Sequence, residues 1–106
     1  SNFIDIHKKS EKAIYTPGAA FLNVMSPCPR GWGYEPSEMM TICKLAVDTC
    51  YWPMFEVIEG KWILNYEPKN KLPIEIFETT ESEELIGKFQ EEIDRRWEEL
   101  KNKCSL

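Results

Sequence analysis

Between Pro17-Gly18 and Ser26-Pro27 the chain runs Ala19-Ala-Phe-Leu-Asn-Val-Met25, apolar except for Asn23. A short apolar run fenced by turn-forming residues is the pattern of a strand buried on both faces, and such a strand belongs in a parallel sheet covered by helices. This feature predicts an α/β chain with one buried parallel strand at residues 19–25. The segment that follows, Ser26-Pro-Cys-Pro-Arg-Gly-Trp-Gly-Tyr-Glu-Pro36, carries three Pro and two Gly and is expected to be an irregular loop. Loops at the C-terminal ends of strands in open α/β sheets are where ligands and cofactors collect.

The rest of the chain supplies elements to surround such a strand. Phe3, Ile6, Ala13 and Ile14 mark a short helix over residues 3–15, stopped by Thr16-Pro17-Gly18. From Ser37, Met39, Met40, Ile42, Cys43, Leu45, Ala46, Val47 and Cys50 form a broad helical face that ends at Tyr51-Trp52-Pro53. Residues 54–58 and 61–65 flank Glu59-Gly60 and predict a tight β-hairpin, followed by a surface loop through Lys71 and a short turn or extended stretch at 73–77. Thr80 and Glu83 are spaced as a capping box, and Ile86, Phe89, Ile93, Trp97, Leu100 and Cys104 recur at helical steps, predicting a long C-terminal amphipathic helix. No repeat or flexible linker interrupts the 106 residues, so residues 1–106 are expected to form a single domain.

Charge and cysteine usage narrow the function classes. A net charge of −5 and a pI near 4.9 argue against binding a phosphate backbone, which needs clustered Lys and Arg. The apolar runs are too short to span a bilayer and no charged segment with an apolar core opens the sequence, so a cytoplasmic location is expected. The start at Ser1-Asn2, without Met, reads as an expression scar, a cleavage product or a segment of something longer. Cysteines at 28, 43, 50 and 104 include no C-x-x-C pair, and His7 stands apart from them, so no local zinc site is legible and free thiols are expected over two disulfides. From spacing alone Cys28 reads as a small hydrophobe in a Pro-rich loop, and Cys43, Cys50 and Cys104 as core thiols. The carboxylates from Glu81 to Glu99 read as a solvated helix face, and no catalytic acid or base is nominated.

Four stretches taken in order, Gly18 to Trp32, Lys44 to Glu56, Asn65 to Pro68 and Leu72 to Glu75, resemble the thiamine-diphosphate-binding beta subunit of pyruvate (2-oxoacid):ferredoxin oxidoreductases, and Glu92 to Glu98 is similar to that family's closing helix. Ser26-Pro-Cys-Pro-Arg-Gly-Trp32 is the specific element. Arg30 stands where members of the family commonly carry Thr, and only Gly87-Lys-Phe89 echoes their Gln-Gly-Arg-Phe.

The resemblance implies that the chain is the C-terminal portion of the beta subunit, the last part of a thiamine-diphosphate-binding fold. The parent enzyme would decarboxylate a 2-oxoacid oxidatively to acyl-CoA and pass electrons through iron–sulfur clusters to ferredoxin. It further implies that Cys28 is the fourth ligand of a proximal [4Fe-4S] cluster. Gly31 and Trp32 would pack beside the cluster or cofactor, or close the loop onto the following helix. The Gly-Asp-Gly that would hold magnesium and thiamine diphosphate is not in this chain, so the chain alone is expected to bind no cofactor and to be inactive. Its implied partners are the upstream half of the subunit, the other subunits, ferredoxin and coenzyme A, and in isolation it is expected to self-associate. The competing reading is a stand-alone α/β interaction module whose Tyr51, Trp52, Phe55 and Trp62 form a protein-binding patch.

Overall fold

A computed structural model describes residues 2–77 and 82–105. Helix α1 spans Phe3–Tyr15. The Asn2 side chain caps it by accepting the Asp5 N–H at 3.0 Å, and Pro17 ends it by holding Thr16 in extended conformation, ψ 127°. No residue of α1 is buried. Phe3, Ile4, Ile14 and Tyr15 stand open, and an ion pair from Lys12 to Glu56 at 2.8 Å ties the helix to the hairpin described below.

Residues 19–28 form no strand. Phe21 is 88% exposed and Val24 59%, so the expected buried parallel strand is not found. The physical reason lies in pairing. An apolar run needs adjacent parallel strands to be buried, and the only sheet among the described residues is an antiparallel two-stranded one elsewhere.

The Pro-rich segment is more ordered than its composition implies. Pro29–Trp32 form a one-turn helix, α2, and Pro36–Glu38 a 3-10 turn that leads into α3, Met39–Asp48. Pro29 and Pro36 both occupy the first helical turn, where a missing N–H costs nothing, and Gly33 supplies the left-handed closing residue at φ 73°. Individually these residues signal irregular chain, but their order is that of a capped turn. Helix α3 closes on Thr49, whose hydroxyl donates to the Leu45 carbonyl at 2.8 Å. It stops at Cys50, which is buried and left-handed at φ 63°.

Strands β1 (Phe55–Ile58) and β2 (Lys61–Leu64) pair as the expected hairpin, with Phe55 opposite Leu64 and Ile58 opposite Lys61. Glu59 and Gly60 both take positive φ, 51° and 78°, which is the geometry of a type I′ turn. Ile74–Phe77 form a 3-10 turn, and α4 runs over Glu83–Cys104. Of the expected capping box, Thr80 lies outside the described residues. The Ser82 side chain caps α4 by accepting the Leu85 N–H at 3.2 Å.

The core forms around α4. Ile93, Trp97 and Leu100 are buried with Cys50 and Ile74, and Trp62, Leu64, Phe77, Ile86 and Cys104 pack around them. Five residues of the expected stripe therefore meet the hairpin, the second 3-10 turn and the end of α3. On the outer face Arg95 pairs with Glu92 and Glu99, and Arg96 with Glu92. These hydrogen bonds from Arg95 and Arg96 pull the Glu92 carboxyl down to about 2, as fits a solvated ionic face. The described chain is thus mostly helical, with a hairpin and a long closing helix.

Candidate functional site

Cys28 sits at the N-terminus of α2, where its sulfur accepts the Gly31 N–H at 3.5 Å. Its carbonyl accepts the Trp32 N–H at 2.8 Å, and the Pro29 carbonyl accepts the N–H groups of Gly33 and Tyr34 at 2.9 and 3.0 Å. On the other side of the cysteine, the Tyr34 hydroxyl donates to the carbonyl of buried Pro27 at 2.7 Å. Burial pushes the Tyr34 hydroxyl above its ordinary value, and negative charge on the Cys43 and Cys28 sulfurs adds to the rise, so it remains a donor at neutral pH. Cys28 is thereby held from both flanks while its thiol stays exposed.

Trp32 connects this turn to the body. Its ring meets Tyr51 edge-on at 5.9 Å and Phe77 at 6.3 Å, and Tyr51 in turn meets Phe89 of α4 at 5.9 Å. The loop is therefore held on the turn after α3 and the second 3-10 turn, and not on the following helix α3 itself. None of Tyr34, Phe77 and Phe89 was marked as part of the site by the sequence reading. In the sequence Tyr34 shows only as an aromatic residue just beyond Gly-Trp-Gly, Phe77 as the end of the second 3-10 turn, and Phe89 as a member of the α4 stripe.

The other cysteines differ from Cys28. Cys43 and Cys104 are half-buried and Cys50 is buried, and all four are free thiols. Burial pushes the Cys50 thiol up to about 11, so it stays protonated at neutral pH. His7 is exposed on α1. Among the described residues no three His, Cys, Asp or Glu side chains come together as a metal-binding group.

A cubane cluster takes four thiolates, so this chain can fit one as a contributor of a single ligand. Two observations support that fit. The Gly31 N–H points at the sulfur, the kind of hydrogen bond that tunes a cluster's potential. A Cβ at position 31 would rest in ordinary contact with the Cys28 Cβ at 3.6 Å and its sulfur at 3.8 Å, so glycine leaves that side of the sulfur less covered than a larger residue would. The Gly-Asp-Gly that the resemblance associates with magnesium and thiamine diphosphate does not occur in the sequence.

The four aromatic residues weighed as a binding patch fall into different settings. Tyr51 belongs to the Trp32 chain, whereas Phe55 stacks on Trp62 at 5.4 Å, with Lys103 over the Trp62 ring. Trp52 is half-buried, and its N–H donates to the Ala46 carbonyl. A separate polar cluster holds the end of α3, where Asp48 accepts from Lys44 at 2.7 Å and from the Tyr66 hydroxyl at 2.9 Å. Burial opposes ionisation of Asp48, but those two hydrogen bonds outweigh it and keep the carboxyl below its ordinary range.

The sequence carries this geometry into a known class: the chain is homologous, over nearly its whole length, to the C-terminal third of the beta subunits of 2-oxoacid:ferredoxin oxidoreductases. The pyruvate synthase subunit PorB of Thermotoga maritima is 36% identical over 108 residues, covering 92% of this chain and 33% of that protein. PorB of Methanosarcina barkeri is 39% identical over 71 residues, covering 67% of this chain and 24% of the relative. The ketoisovalerate oxidoreductase subunit VorB of Pyrococcus abyssi is 35% identical, covering 92% of this chain and 34% of the relative. The chain thus spans about a third or less of the length of these curated relatives. No protein-family model matches the chain, and no solved structure gives a significant match. No helix among the described residues is long and apolar enough to cross a membrane.

Proposed function

We propose that residues 1–106 act as one unit, the C-terminal portion of the beta subunit of a cytoplasmic 2-oxoacid:ferredoxin oxidoreductase. In this reading Cys28 supplies the fourth thiolate of a [4Fe-4S] cluster whose other ligands lie in the upstream part of the subunit. The observation that carries it is the setting of Cys28 within Ser26–Trp32: an exposed thiol with an N–H aimed at its sulfur and only a glycine, Gly31, on that side.

The complete enzyme oxidises a 2-oxoacid to carbon dioxide and acyl-CoA, and the cluster's contribution when bound is to carry the electrons one at a time toward ferredoxin. This chain's own residues bind and orient. Cys28 provides a thiolate, and Gly31 donates to its sulfur. Tyr34 and Trp32 fix the loop on either side, and α4 anchors the assembly.

The uncovered apolar side chains of α1 and of residues 19–24 are the surface that the rest of the subunit would cover, with residues 19–25 as the strand it would pair. The same surface would drive self-association of the chain alone. Thiamine diphosphate and magnesium belong to the upstream part, and the remaining subunits, ferredoxin and coenzyme A are the partners of the whole enzyme.

The test is Cys28→Ser in the full-length subunit, purified anaerobically with its partner subunits. The reading predicts loss of one cluster's iron and of 2-oxoacid-dependent ferredoxin reduction. Full iron content and undiminished electron transfer would exclude Cys28 as a ligand.

A further inference from the structure

We infer that Trp32 is a positioning residue for Cys28, acting as a strut that fixes the direction of its sulfur relative to α4. The inference rests on the reading of Cys28 as a cluster ligand. A single helical turn is not self-sustaining in water, so the orientation of α2 is set by what its side chains touch. The Trp32 ring is held edge-on by Tyr51 on one side and Phe77 on another, and Tyr51 is braced by Phe89 of α4.

The other end of the strut is short and stiff. The Trp32 N–H donates to the Cys28 carbonyl at 2.8 Å, and the neighbouring Gly31 N–H reaches the sulfur itself. A displacement of the indole therefore moves both amide groups that define the cysteine's geometry. Cys28 is thus fixed, through Trp32, by rings contributed from the turn after α3, the second 3-10 turn and α4. Aromatic edge contacts are directional, which suits them to holding an angle as well as to filling space.

A thiolate held in one direction presents the same donor geometry and the same N–H to sulfur bond in both oxidation states of a cluster. Loosening it would broaden or shift the cluster's potential while leaving the ligand count intact. This separates Trp32 from Cys28 experimentally, because loss of the strut and loss of the ligand have different signatures.

The experiment uses the full-length subunit in its assembled complex. In the iron-stripped protein, iodoacetamide labelling of Cys28 is followed by mass spectrometry, with buried Cys50 as the internal reference. Because the Cys28 thiol is already exposed, its labelling rate reads the setting of the sulfur and not its access: Trp32→Ala should change that rate by about two-fold or more as the Gly31 N–H is displaced, with Cys50 unchanged, and Trp32→Phe should restore most of the wild-type rate. In the iron-loaded protein, Trp32→Ala should keep its iron but shift the midpoint potential of the reduced cluster's electron paramagnetic resonance signal.

If Trp32→Ala also exposes Cys50, the milder Phe77→Leu takes its place with the same two readings. A Cys28 labelling rate that does not respond to whichever of the two keeps Cys50 protected, or a potential that does not move, overturns the inference. An unchanged cluster signal in Cys28→Ser is a different result, and overturns the ligand reading on which the inference rests.

Discussion

The two ends of the molecule handle apolar residues in opposite ways. In α4, Ile93, Trp97 and Leu100 are covered by the hairpin, the second 3-10 turn and the end of α3. In α1 and residues 19–24, Phe3, Ile4, Ile14, Phe21 and Val24 stand in the open. Composition does not separate the regions. What separates them is whether a complementary surface lies within the described chain. The C-terminal body carries its own cover, and the N-terminal arm finds none among the described residues, which is why the proposed function assigns the arm to contact with the rest of a beta subunit.

That contrast can be broken by substitution. Trp97→Ala should cost about 3–5 kcal/mol, because it removes the largest side chain of a small core, and urea unfolding followed by far-UV circular dichroism would read the loss. A loss below 1 kcal/mol would mean that the body does not hold together as described. Tyr66→Phe should cost about 1 kcal/mol by removing one of the two donors to Asp48.

The same pair gives a pH dependence with a definite sign. The folded Asp48 value is depressed, so its stabilisation is complete above the ordinary aspartate range and is lost as pH falls through the lower folded value. Urea midpoints between pH 5 and strongly acid solution should fall less steeply in Tyr66→Phe than in the wild type. Equal acid limbs would remove Asp48 from the account.

At the small end, Phe21→Ser should change the stability of the chain by less than about 0.5 kcal/mol, since the ring is 88% exposed. The same substitution should nevertheless weaken self-association, read as apparent mass by light scattering across concentrations. A marked destabilisation would show that Phe21 is packed after all, and unchanged association would move the sticky surface elsewhere.

The elements legible in the sequence are those whose signal is local. The stripe from Ile86 to Cys104 specifies α4, Glu59-Gly60 specifies the hairpin turn, and Thr16-Pro17 specifies the end of α1. The run Ala19–Met25 misled because burial of a strand depends on its neighbours, which the run itself does not encode. Pro29 and Gly33 misled in the other direction: each is a breaker in isolation, yet one at the first position and one at the close build a capped turn. Cys28 stands out through the resemblance carried by Ser26–Trp32, and its role as a ligand is the proposal built on that resemblance and on its local setting. The ring chain from Trp32 through Tyr51 to Phe89 was not legible, because tertiary packing brings together residues far apart in the sequence.

The most direct test of the central claim is amide hydrogen exchange at residues 19–25, measured on this chain alone and after mixing it with the remaining part of the subunit. The account predicts fast exchange alone and strong protection in the mixture, as those amides enter a sheet and the exposed apolar side chains are covered. Equally fast exchange in both samples would contradict the assignment of this arm, and with it the view that the chain completes a beta subunit.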